Sequence, residues 1–370
     1  MIKYLLNFVN FFRVKSKLKK LNFNFYSEEP IANFSEIQDK EIKIKIAENI
    51  IKFNNQCNFF YDNIPIDESL KISGLWKEYF VKNKKEQIDC YKSNSVEKII
   101  LLHENMFYNS LINGLWNYSH FKNLRLNYSS ILFFLKDLDL YKIIFGNFNN
   151  LSSNNNLRKW GYQYQNKKFH FIDPSSKIQK NLILNSLNLL ENKKFNILEI
   201  GGGFGSLAER TFDEKSINSY MIIDIPTSLL IAYYYLASKF GTENVELINS
   251  VEEFKNKCNL NEKKIYLVPS CFFDLVKDLD DFDVLCNFAS FSEMGYDTIK
   301  YYLTNLPDKI KLIISSNSNI ETKWGTSYNF KEVTIDEFPI PKKFVLSFST
   351  VQIPYFANWR YKTQIWYSKN

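Results

Sequence analysis

The chain of 370 residues lacks the cysteine pairs and the clustered histidines that would point most directly to a redox or metal site. Its cysteines are odd in number, form no CxxC pair and lie mostly in apolar contexts typical of buried thiols: Cys57, Cys90, Cys258, Cys271 and Cys286. No His, Asp or Glu residues follow metal-ligand spacing, so we predict no metal. This cysteine usage indicates a reducing, cytoplasmic compartment.

A hydrophobic run long enough to cross a bilayer is absent from the N-terminal segment MIKYLLNFVNFFRVKSKLKKL at residues 1–21. Its apolar stretch covers only about nine residues, whereas a spanning helix requires ~20. The basic residues follow that stretch and no small-residue cleavage site is present, which does not fit a secretory signal. Two interpretations stay open: a basic amphipathic helix in peripheral contact with the inner face of a membrane, or a docked or frayed terminus.

A strongly charged surface is also missing. The formal charge of +7 comes from 47 basic and 40 acidic residues spread along the chain, so no nucleic-acid partner is implied. Hydrophobic residues make up 45% of the sequence and aromatic residues 17%. This is enough apolar area for one large core and a second, smaller one.

The first part of the chain is predicted to be mostly helical. Between residues 30 and 145, apolar residues such as Ile99, Leu102 and Met106 recur at spacings of three and four. The Asn-rich stretch GNFNNLSSNNNLRKWG that follows favours turns and indicates a boundary. We therefore predict a helical region at 1–157, acting as a substrate lid or as an oligomerisation surface, and a second domain at 158–370.

The second part alternates predicted strands with predicted helices. Short apolar segments indicate five strands: FNILEI, SYMIIDI, KIYLVPS, DFDVLCNF and KIKLIISS. The intervening helices include PTSLLIAYYYLASKFG, with Pro226 in its first turn and Gly241 at its end, and a helix at 292–305 between the last two of these strands. This pattern predicts an open parallel sheet. The segments KFVLSFSTVQIP and RYKTQIWYS then predict a terminal antiparallel hairpin, which an all-parallel dinucleotide-binding sheet would not have.

The segment NILEIGGGFGSLAER contains the most informative motif. It places Glu199 next to last in a buried strand and follows it with four glycines in five positions. In an α/β sheet the ligand lies at the carboxyl ends of the strands, and glycines let it approach the backbone closely. A carboxylate there would repel a pyrophosphate and attract an ammonium and a sulfonium. We therefore predict S-adenosylmethionine as the cofactor, bound at Glu199, Gly201, Gly203 and Gly205.

The next two strands supply further predicted cofactor contacts. Asp224 ends the second strand and can accept hydrogen bonds from both ribose hydroxyls, with Ile225 beside it. The alternative role of Asp224 is to cap the following helix. Ser270 and Phe272 follow the third strand and are expected near the adenine, although Phe272 could equally belong to the core.

A nicotinamide cofactor is the alternative. The stretch GFGSLA at 203–208 matches the GxGxxA fingerprint of NAD(P)-dependent oxidoreductases, which is a weak signal when it stands alone. In that fingerprint the first glycine closes the strand directly, whereas two glycines intervene here after Ile200. Glycines that only form a tight turn are a less favoured interpretation, because four of them cost more backbone entropy than a turn requires.

Three stretches of the sequence resemble the sugar O-methyltransferase family of bacteria, within the class I S-adenosylmethionine-dependent methyltransferases. They are ILEIGGGFGSLAER, YMIIDIPTSLLIAYYYLAS and FDVLCNFASFSEMGYDTIKYYL, and the resemblance covers residues 160–370, with LHENMFYNSLINGLW matching less specifically. The resemblance implies a seven-stranded Rossmann-like α/β sheet with a terminal hairpin, and cofactor contacts at Glu199, Gly201, Gly203 and Asp224. It also implies a sugar-like acceptor.

Candidates for the catalytic base follow the fourth strand, in NFASFSEM. Asn287 is expected to contact the cofactor, and Glu293 is our preferred base for taking the acceptor proton, with Ser290 nearby. The structural alternative is a capping box formed by Ser290 and Glu293. In the helical region, His120 or His103 could reach over the cleft as a base if that region forms a lid.

The remaining candidates are aromatic or histidine residues with structural alternatives. His170 is expected to be structural, and Trp324, Tyr328 and Phe330 could either stack on a sugar ring or pin their loop to the core. The sequence thus predicts a cytoplasmic O-methyltransferase that acts on a sugar, a nucleotide sugar or a lipid-linked glycan precursor, and that could form homo-oligomers. The alternatives are an oxidoreductase and a non-catalytic scaffold for glycan assembly.

Overall fold

The computed structural model describes residues 16–63, 85–109, 111, 112, 118, 128–152, 155–191, 194–279, 281–320, 331–351 and 361–369. The predicted helical character of the first part is confirmed within these ranges. The helices are α1 (Lys40–Asn63), α2 (Lys85–Lys92), α3 (Val96–Glu104) and α4 (Tyr128–Phe145). The Ser95 side chain caps α3 by accepting a hydrogen bond from the Lys98 amide.

Helix α3 is shorter than the apolar periodicity of its segment suggests. It ends at Glu104, and the side-chain amide of Asn105 donates to the carbonyl oxygens of Leu101 (3.1 Å) and Ile31 (2.8 Å). Side-chain bonds of this kind compete with the helix for its backbone partners. The chain therefore leaves the helix at Asn105 and turns towards the second domain.

A small antiparallel sheet joins the two predicted regions. It consists of β1 (Asn24–Ser27), β2 (Trp160–Tyr164) and β3 (Lys167–Phe169), in the order β1–β2–β3. The two residues between β2 and β3, Gln165 and Asn166, both have positive φ, as a tight two-residue hairpin requires. Because β1 pairs with β2 across the predicted boundary at 157/158, the two regions are linked by backbone hydrogen bonds. The boundary itself stays a prediction.

The larger sheet has eight strands in the order β10–β11–β9–β8–β4–β5–β7–β6. They are β4 (Phe195–Ile200), β5 (Ile217–Asp224), β6 (Val245–Leu247), β7 (Ile265–Pro269), β8 (Val284–Phe288), β9 (Leu312–Ser318), β10 (Phe344–Thr350) and β11 (Tyr361–Ser368). All neighbours from β6 to β9 pair in parallel, whereas β11 pairs antiparallel with both β9 and β10. The predicted fold class, with its terminal hairpin, is confirmed, and the edge strand β6 is an eighth strand that the sequence did not predict.

Six helices accompany this sheet: α5 (Asp173–Leu187), α6 (Ser206–Thr211), α7 (Pro226–Phe240), α8 (Val251–Lys257), α9 (Phe273–Lys277) and α10 (Tyr296–Thr304). Two buried hydrophobic clusters lie on the two faces of the sheet: alternate residues of β4 divide between them, with Ile197 in one cluster and Leu198 in the other. The first cluster also contains α7 and extends into the helical region, from Leu18 onwards. The helical region and the sheet therefore share one core.

The strand order fixes the place of a ligand crevice. Strand β4 has β5 on one side and β8 on the other, so the chain changes direction across the sheet at β4. In open α/β sheets, ligands bind outside the carboxyl ends of the strands at such a switch point. The glycine segment begins there, directly after Ile200. Within the described part of the chain, no helix is long and apolar enough to cross a membrane.

Candidate functional site

The glycine loop turns sharply between β4 and α6. Gly201, Gly203 and Gly205 have φ angles of 74°, 57° and 86°, in the left-handed region that side-chain-bearing residues rarely adopt. The Gly201 amide donates to the carbonyl oxygen of Ile223 (2.7 Å), which ties the loop to the end of β5. The loop then enters α6 through Gly205, and its conformation accounts for the glycines at positions 201, 203 and 205.

The same loop is crowded on its inner side and open at its tip. A Cβ atom on Gly201 would overlap the Ser290 side chain, and one on Gly205 would lie 2.7 Å from Leu236. A Cβ on Gly203 would meet no atom within 4 Å, and Gly203 is exposed. The glycines therefore serve two purposes: some allow close packing, and Gly203 presents an uncovered backbone to the crevice.

Glu199 lies beneath this loop. It is 3% exposed, and its Oε2 accepts a hydrogen bond from the Tyr220 hydroxyl (2.8 Å). A Cβ on Gly202 would lie 2.9 Å from the same oxygen, so the carboxyl group touches the underside of the loop. Burial and the nearby charge of Asp224 raise the pKa of Glu199 to about 8. The hydrogen bond from Tyr220 opposes this shift. A direct contact between Glu199 and a cofactor stays a prediction.

Asp224 faces the same loop from the end of β5. Its Oδ2 accepts from the Gly203 amide (2.8 Å) and its Oδ1 from the Ile225 amide (2.7 Å). Burial raises the pKa of this carboxyl to about 6, although hydrogen bonds from Gly203, Ile225 and Ser228 oppose the shift. A carboxylate has about four acceptor positions, so Asp224 retains capacity for a ligand hydroxyl.

Ser270 and Phe272 lie in a 3₁₀ turn directly after β7, where the sequence predicted them. Both are buried, at 3% and 5% exposure. Phe272 belongs to the hydrophobic cluster on the face opposite Glu199, and Ser270 hydrogen-bonds with Tyr302. The position matches the prediction, and the packing of Phe272 fits the alternative of a core residue. Contact of either residue with an adenine stays a prediction.

Asn287 is buried at the carboxyl end of β8 and bonds within the protein. Its side-chain amide donates to the carbonyl oxygen of Ile200 (2.7 Å), the residue before the glycine loop. Its Oδ1 accepts from the Phe291 amide (3.2 Å) and from the Asn317 side chain (2.7 Å). The structure thus places Asn287 beside the loop as a bridge between strands, and its predicted contact with the cofactor stays untested.

Glu293 ends a 3₁₀ turn, Phe291–Glu293, and is partly exposed. The turn follows Ala289, whose φ of 57° is unusual for a residue with a side chain. Ser290 makes no side-chain cap hydrogen bond, so the capping box proposed for Ser290 and Glu293 is not formed. The role of Glu293 as a base stays a prediction.

The histidines in the described part of the chain are buried. His103 is enclosed, with Nδ1 bonded to the Ile99 carbonyl (2.8 Å) and Nε2 to the Tyr91 hydroxyl (3.2 Å). Burial lowers the pKa of His103 to about 4. Because the ring is enclosed and both of its nitrogens bond within the protein, the structure does not bring His103 to the cleft, and its role as a base stays untested. His170 is buried among Phe107, Trp160 and Phe171, and burial lowers its pKa as well.

Several predicted features lie outside the described residues: His120, Trp324, Tyr328, Phe330 and most of the segment 1–21. Among the residues that the structure does describe, no three His, Cys, Asp or Glu side chains are arranged to hold a metal ion. Two residues of the site were not predicted. Tyr220 and Asn317 each hydrogen-bond to a predicted residue, and no motif in the sequence marks them.

The fold and the site together define a Rossmann-like α/β protein. Its glycine loop lies at the switch point of the sheet, with one carboxyl group beneath the loop and a second one at its side. The terminal antiparallel hairpin distinguishes this sheet from the all-parallel sheet of a dinucleotide-binding domain.

Comparisons with known proteins reach only the level of the fold. No family model matches the sequence, and no curated protein matches it. Similar solved structures include the methyltransferase domain of bacterial CtHen1, at 14% identity and a TM-score of 0.34, covering 52% of this chain and 99% of that one.

Two further similar structures were solved with S-adenosylhomocysteine. One is TrmK from M. capricolum, at 19% identity and a TM-score of 0.28, covering 51% of this chain and 68% of that one. The other is the magnesium protoporphyrin IX methyltransferase ChlM from Synechocystis PCC 6803, at 10% identity and a TM-score of 0.36, covering 54% and 85%. Similarities this remote decide neither the activity nor the substrate of this chain.

Proposed function

We propose that this protein is an S-adenosylmethionine-dependent O-methyltransferase that acts on a hydroxyl of a sugar or of a glycan precursor. The observation that carries the proposal is the pair of carboxyl groups, Glu199 and Asp224, that contacts the glycine loop at the switch point of the sheet. Among the described residues, no basic side chain contributes to the pKa shift of Glu199 or of Asp224. A ligand with positive charge would suit these carboxyl groups, and a diphosphate would not.

The residues present fit such a cofactor. Gly203 offers an exposed backbone where a side chain would project into the crevice, and Asp224 can accept from a ribose hydroxyl. Glu199 would supply negative charge under the loop in the complex, because an ammonium group bound nearby favours its carboxylate form. When bound, the cofactor supplies a methyl group activated by positive sulfur, and the protein has to align the acceptor with it and exclude water.

The acceptor side is proposed to lie at the segment after β8. Glu293 is partly exposed there and can take the proton of the acceptor hydroxyl, which raises the rate of methyl transfer. The sugar acceptor rests on the family resemblance of the three motif stretches. Little other acid–base chemistry is needed, because the leaving group departs as a neutral thioether.

Calorimetry with S-adenosylhomocysteine and with NAD⁺ and NADH tests the cofactor. We expect binding of S-adenosylhomocysteine alone. Asp224→Asn should weaken it about tenfold or more, because a charge-assisted hydrogen bond is replaced by a weaker one. Asp297→Asn, at an exposed site on α10, is the matched control and should bind like the wild type. Binding of a nicotinamide nucleotide, or of neither ligand, would overturn the proposal in favour of an oxidoreductase or of a scaffold.

The acceptor needs a separate experiment. The protein and S-adenosylmethionine are incubated with a panel of nucleotide sugars and with glycan extracts, and products are analysed by mass spectrometry. We expect a gain of one methyl group on a sugar hydroxyl, lost in Glu293→Gln. Methylation confined to nitrogen or phosphate acceptors would contradict the proposed substrate class and leave the cofactor assignment intact.

A further inference from the structure

A buried polar cluster lies at the carboxyl ends of β8 and β9. It consists of two asparagines and three serines, each at most 3% exposed: Asn287, Ser292, Ser315, Asn317 and Ser318. Burying amides is unfavourable unless every group finds a partner. The rest of these strands is largely aliphatic, with Val284, Leu285, Leu312 and Ile313 in the core. A polar cluster at this end therefore calls for an explanation beyond packing.

Asn317 occupies the centre of this cluster. Its side-chain amide donates to Asn287 Oδ1 (2.7 Å) and to Ser315 Oγ (2.7 Å). Its Oδ1 accepts from the Ser292 amide (3.2 Å). The Ser292 hydroxyl in turn accepts a hydrogen bond from the Ser318 amide (3.0 Å). The donor and acceptor groups of Asn317 are thus all used, and they join two strands to the turn that contains Ser292.

The segment held by Asn317 is strained and touches the glycine loop. It begins with Ala289, in the left-handed region at φ 57°, a conformation that persists only where its surroundings enforce it. The next residue, Ser290, packs so closely on Gly201 that a Cβ there would overlap it. Asn287, which Asn317 holds, donates to the carbonyl of Ile200. Two separate contacts therefore couple the segment after β8 to the start of the glycine loop.

We propose that Asn317 is a positioning residue that locks the segment 289–293 against the glycine loop. It acts through Asn287 and Ser292 and does not itself contact a ligand. In this arrangement the glycine loop, which is proposed to hold the methyl donor, and the segment that carries Glu293 form one rigid unit. The inference rests on the proposed function, because it concerns the shape of the same cofactor site.

The test measures affinity for S-adenosylhomocysteine by calorimetry, together with thermal stability. Asn317→Ala should weaken binding about tenfold, and Asn317→Asp should do the same because it loses the donor to Asn287. Ser315→Ala removes only one partner of Asn317 and should have a smaller effect. The matched control is Ser316→Ala, since Ser316 lies next to Asn317 and its buried hydroxyl bonds Thr363 (3.0 Å), away from the segment. It should lower stability and leave affinity unchanged.

A double-mutant cycle tests whether Asn317 acts through Asn287. If it does, Asn287→Ala combined with Asn317→Ala should bind no more weakly than the weaker of the two single variants. Hydrogen exchange at the amides of Phe291 and Ser292 should also accelerate in Asn317→Ala, which removes the acceptor of the Ser292 amide, and not in Ser316→Ala. Wild-type affinity in folded Asn317 variants, fully additive losses, or an equal loss in Ser316→Ala would overturn the inference. Failure of the wild type to bind would instead refute the proposed function.

Discussion

Burial raises the pKa of two carboxyl groups of the site, which differ in the hydrogen bonds that oppose the shift. Glu199 receives one from Tyr220, whereas Asp224 receives three. Glu199 is enclosed under the loop and its pKa is about 8, whereas Asp224 is half-buried and its pKa is about 6. In the free protein at neutral pH, Glu199 is therefore mostly protonated. A cation bound near it would favour the carboxylate, so the binding of a positively charged ligand should release a proton.

This linkage gives a prediction for binding as a function of pH. Affinity for S-adenosylhomocysteine should rise with pH up to about 8, by at most about tenfold per pH unit. Glu199→Gln should abolish that dependence and weaken binding about tenfold, because the neutral amide cannot attract an ammonium. Calorimetry in buffers of different protonation enthalpy measures the proton released.

The same group affects the stability of the free protein. The folded pKa of Glu199 lies above its ordinary value of 4.5, so its contribution to stability is lost as pH rises through about 8. Glu199→Gln should remove this part of the pH dependence in urea unfolding. Glu97→Gln, at an exposed site on α3, should leave the pH dependence of stability and that of ligand affinity unchanged.

A wild-type affinity independent of pH would show that Glu199 does not respond to the ligand.

Sequence reasoning found these two carboxyl groups and missed their partners. Glu199 and Asp224 stand at strand ends beside glycines, which the sequence displays directly. Tyr220 could not be found in the same way. In the register between β4 and β5, Glu199 pairs with Ile222, and Tyr220 lies opposite Ile197. Its hydroxyl reaches Glu199 along the sheet, and only the packed structure shows that reach.

At the scale of secondary-structure elements, those with a clear hydrophobic pattern were predicted well, and short elements without one were predicted poorly. The buried strands of the parallel sheet, the terminal hairpin and helix α7 agree with the sequence to within a few residues. Strand β6 has only three residues, and the hairpin β2–β3 turns at Gln165 and Asn166, which are not the usual glycine-containing pair. Such elements depend on tertiary pairing, and their local sequence is a weak guide to them.

The helix predicted at 292–305 starts later in the structure than the local pattern indicates. The structure has a 3₁₀ turn at Phe291–Glu293 and starts helix α10 only at Tyr296, after Gly295. The backbone is extended at Met294 (ψ 158°) and at Gly295 (ψ 149°), which separates the turn from α10. The Ser292 amide bonds to the Asn317 side chain on β9, so a partner 25 residues away helps to hold the turn, and no local pattern encodes that contact.

Glycines of the same loop should differ in how they tolerate alanine. Gly203→Ala should cost about 1 kcal/mol of unfolding free energy, because only its left-handed φ is unfavourable for alanine. Gly201→Ala should cost roughly 3 kcal/mol, because the added Cβ also collides with Ser290. Urea unfolding measures both. Adding Ser290→Gly should restore part of the loss in Gly201→Ala and none in Gly203→Ala; equal losses at the two positions would contradict the packing described.

At the scale of the whole molecule, three consecutive tyrosines on α7 bond to other elements, and the first two of them bond to the helical region. The Tyr233 hydroxyl accepts from Asn49 on α1 (2.7 Å), and the Tyr234 hydroxyl donates to Glu104 on α3 (2.8 Å). The Tyr235 hydroxyl donates to Glu209 on α6 (2.8 Å) and accepts from Arg158 (2.8 Å). The stretch PTSLLIAYYYLASKFG predicted a helix, and the structure shows that the three tyrosine hydroxyls bond to different elements.

Tyr235 is part of a buried ionic cluster behind the glycine loop. Arg158 and Arg210 pair with Asp173 and Glu209, and Lys239 also reaches Glu209 (3.4 Å). These residues come from the segment before β2 and from helices α5, α6 and α7. The loop residue Phe204 packs edge-on against both Phe107 and Tyr235, so the helical region also supports the glycine loop. We therefore expect the affinity of the glycine loop for a ligand to depend on the packing of Phe107 against Phe204.

Glu209 makes the strength of this ionic cluster measurable. Burial alone would raise the pKa of Glu209, but the charges of Arg158, Arg210 and Lys239 outweigh it and lower that pKa to about 2. Its contribution to stability is therefore present above the ordinary value of 4.5 and is lost as pH falls through about 2. Glu209→Gln should reduce the free energy of unfolding by roughly 3 kcal/mol at pH 7, because it leaves buried guanidinium groups short of a counter-charge.

The difference between wild type and Glu209→Gln should shrink as the pH falls below about 4.5, since protonated Glu209 resembles the amide. Urea unfolding at a series of pH values measures it, with Glu262→Gln as an exposed control that should show no comparable loss at pH 7. Because Phe204 packs on Tyr235, the variant should also bind S-adenosylhomocysteine more weakly at pH 7. A stability difference that persists unchanged at pH 3 would mean that packing around Glu209, and not its charge, accounts for the stability that this cluster contributes.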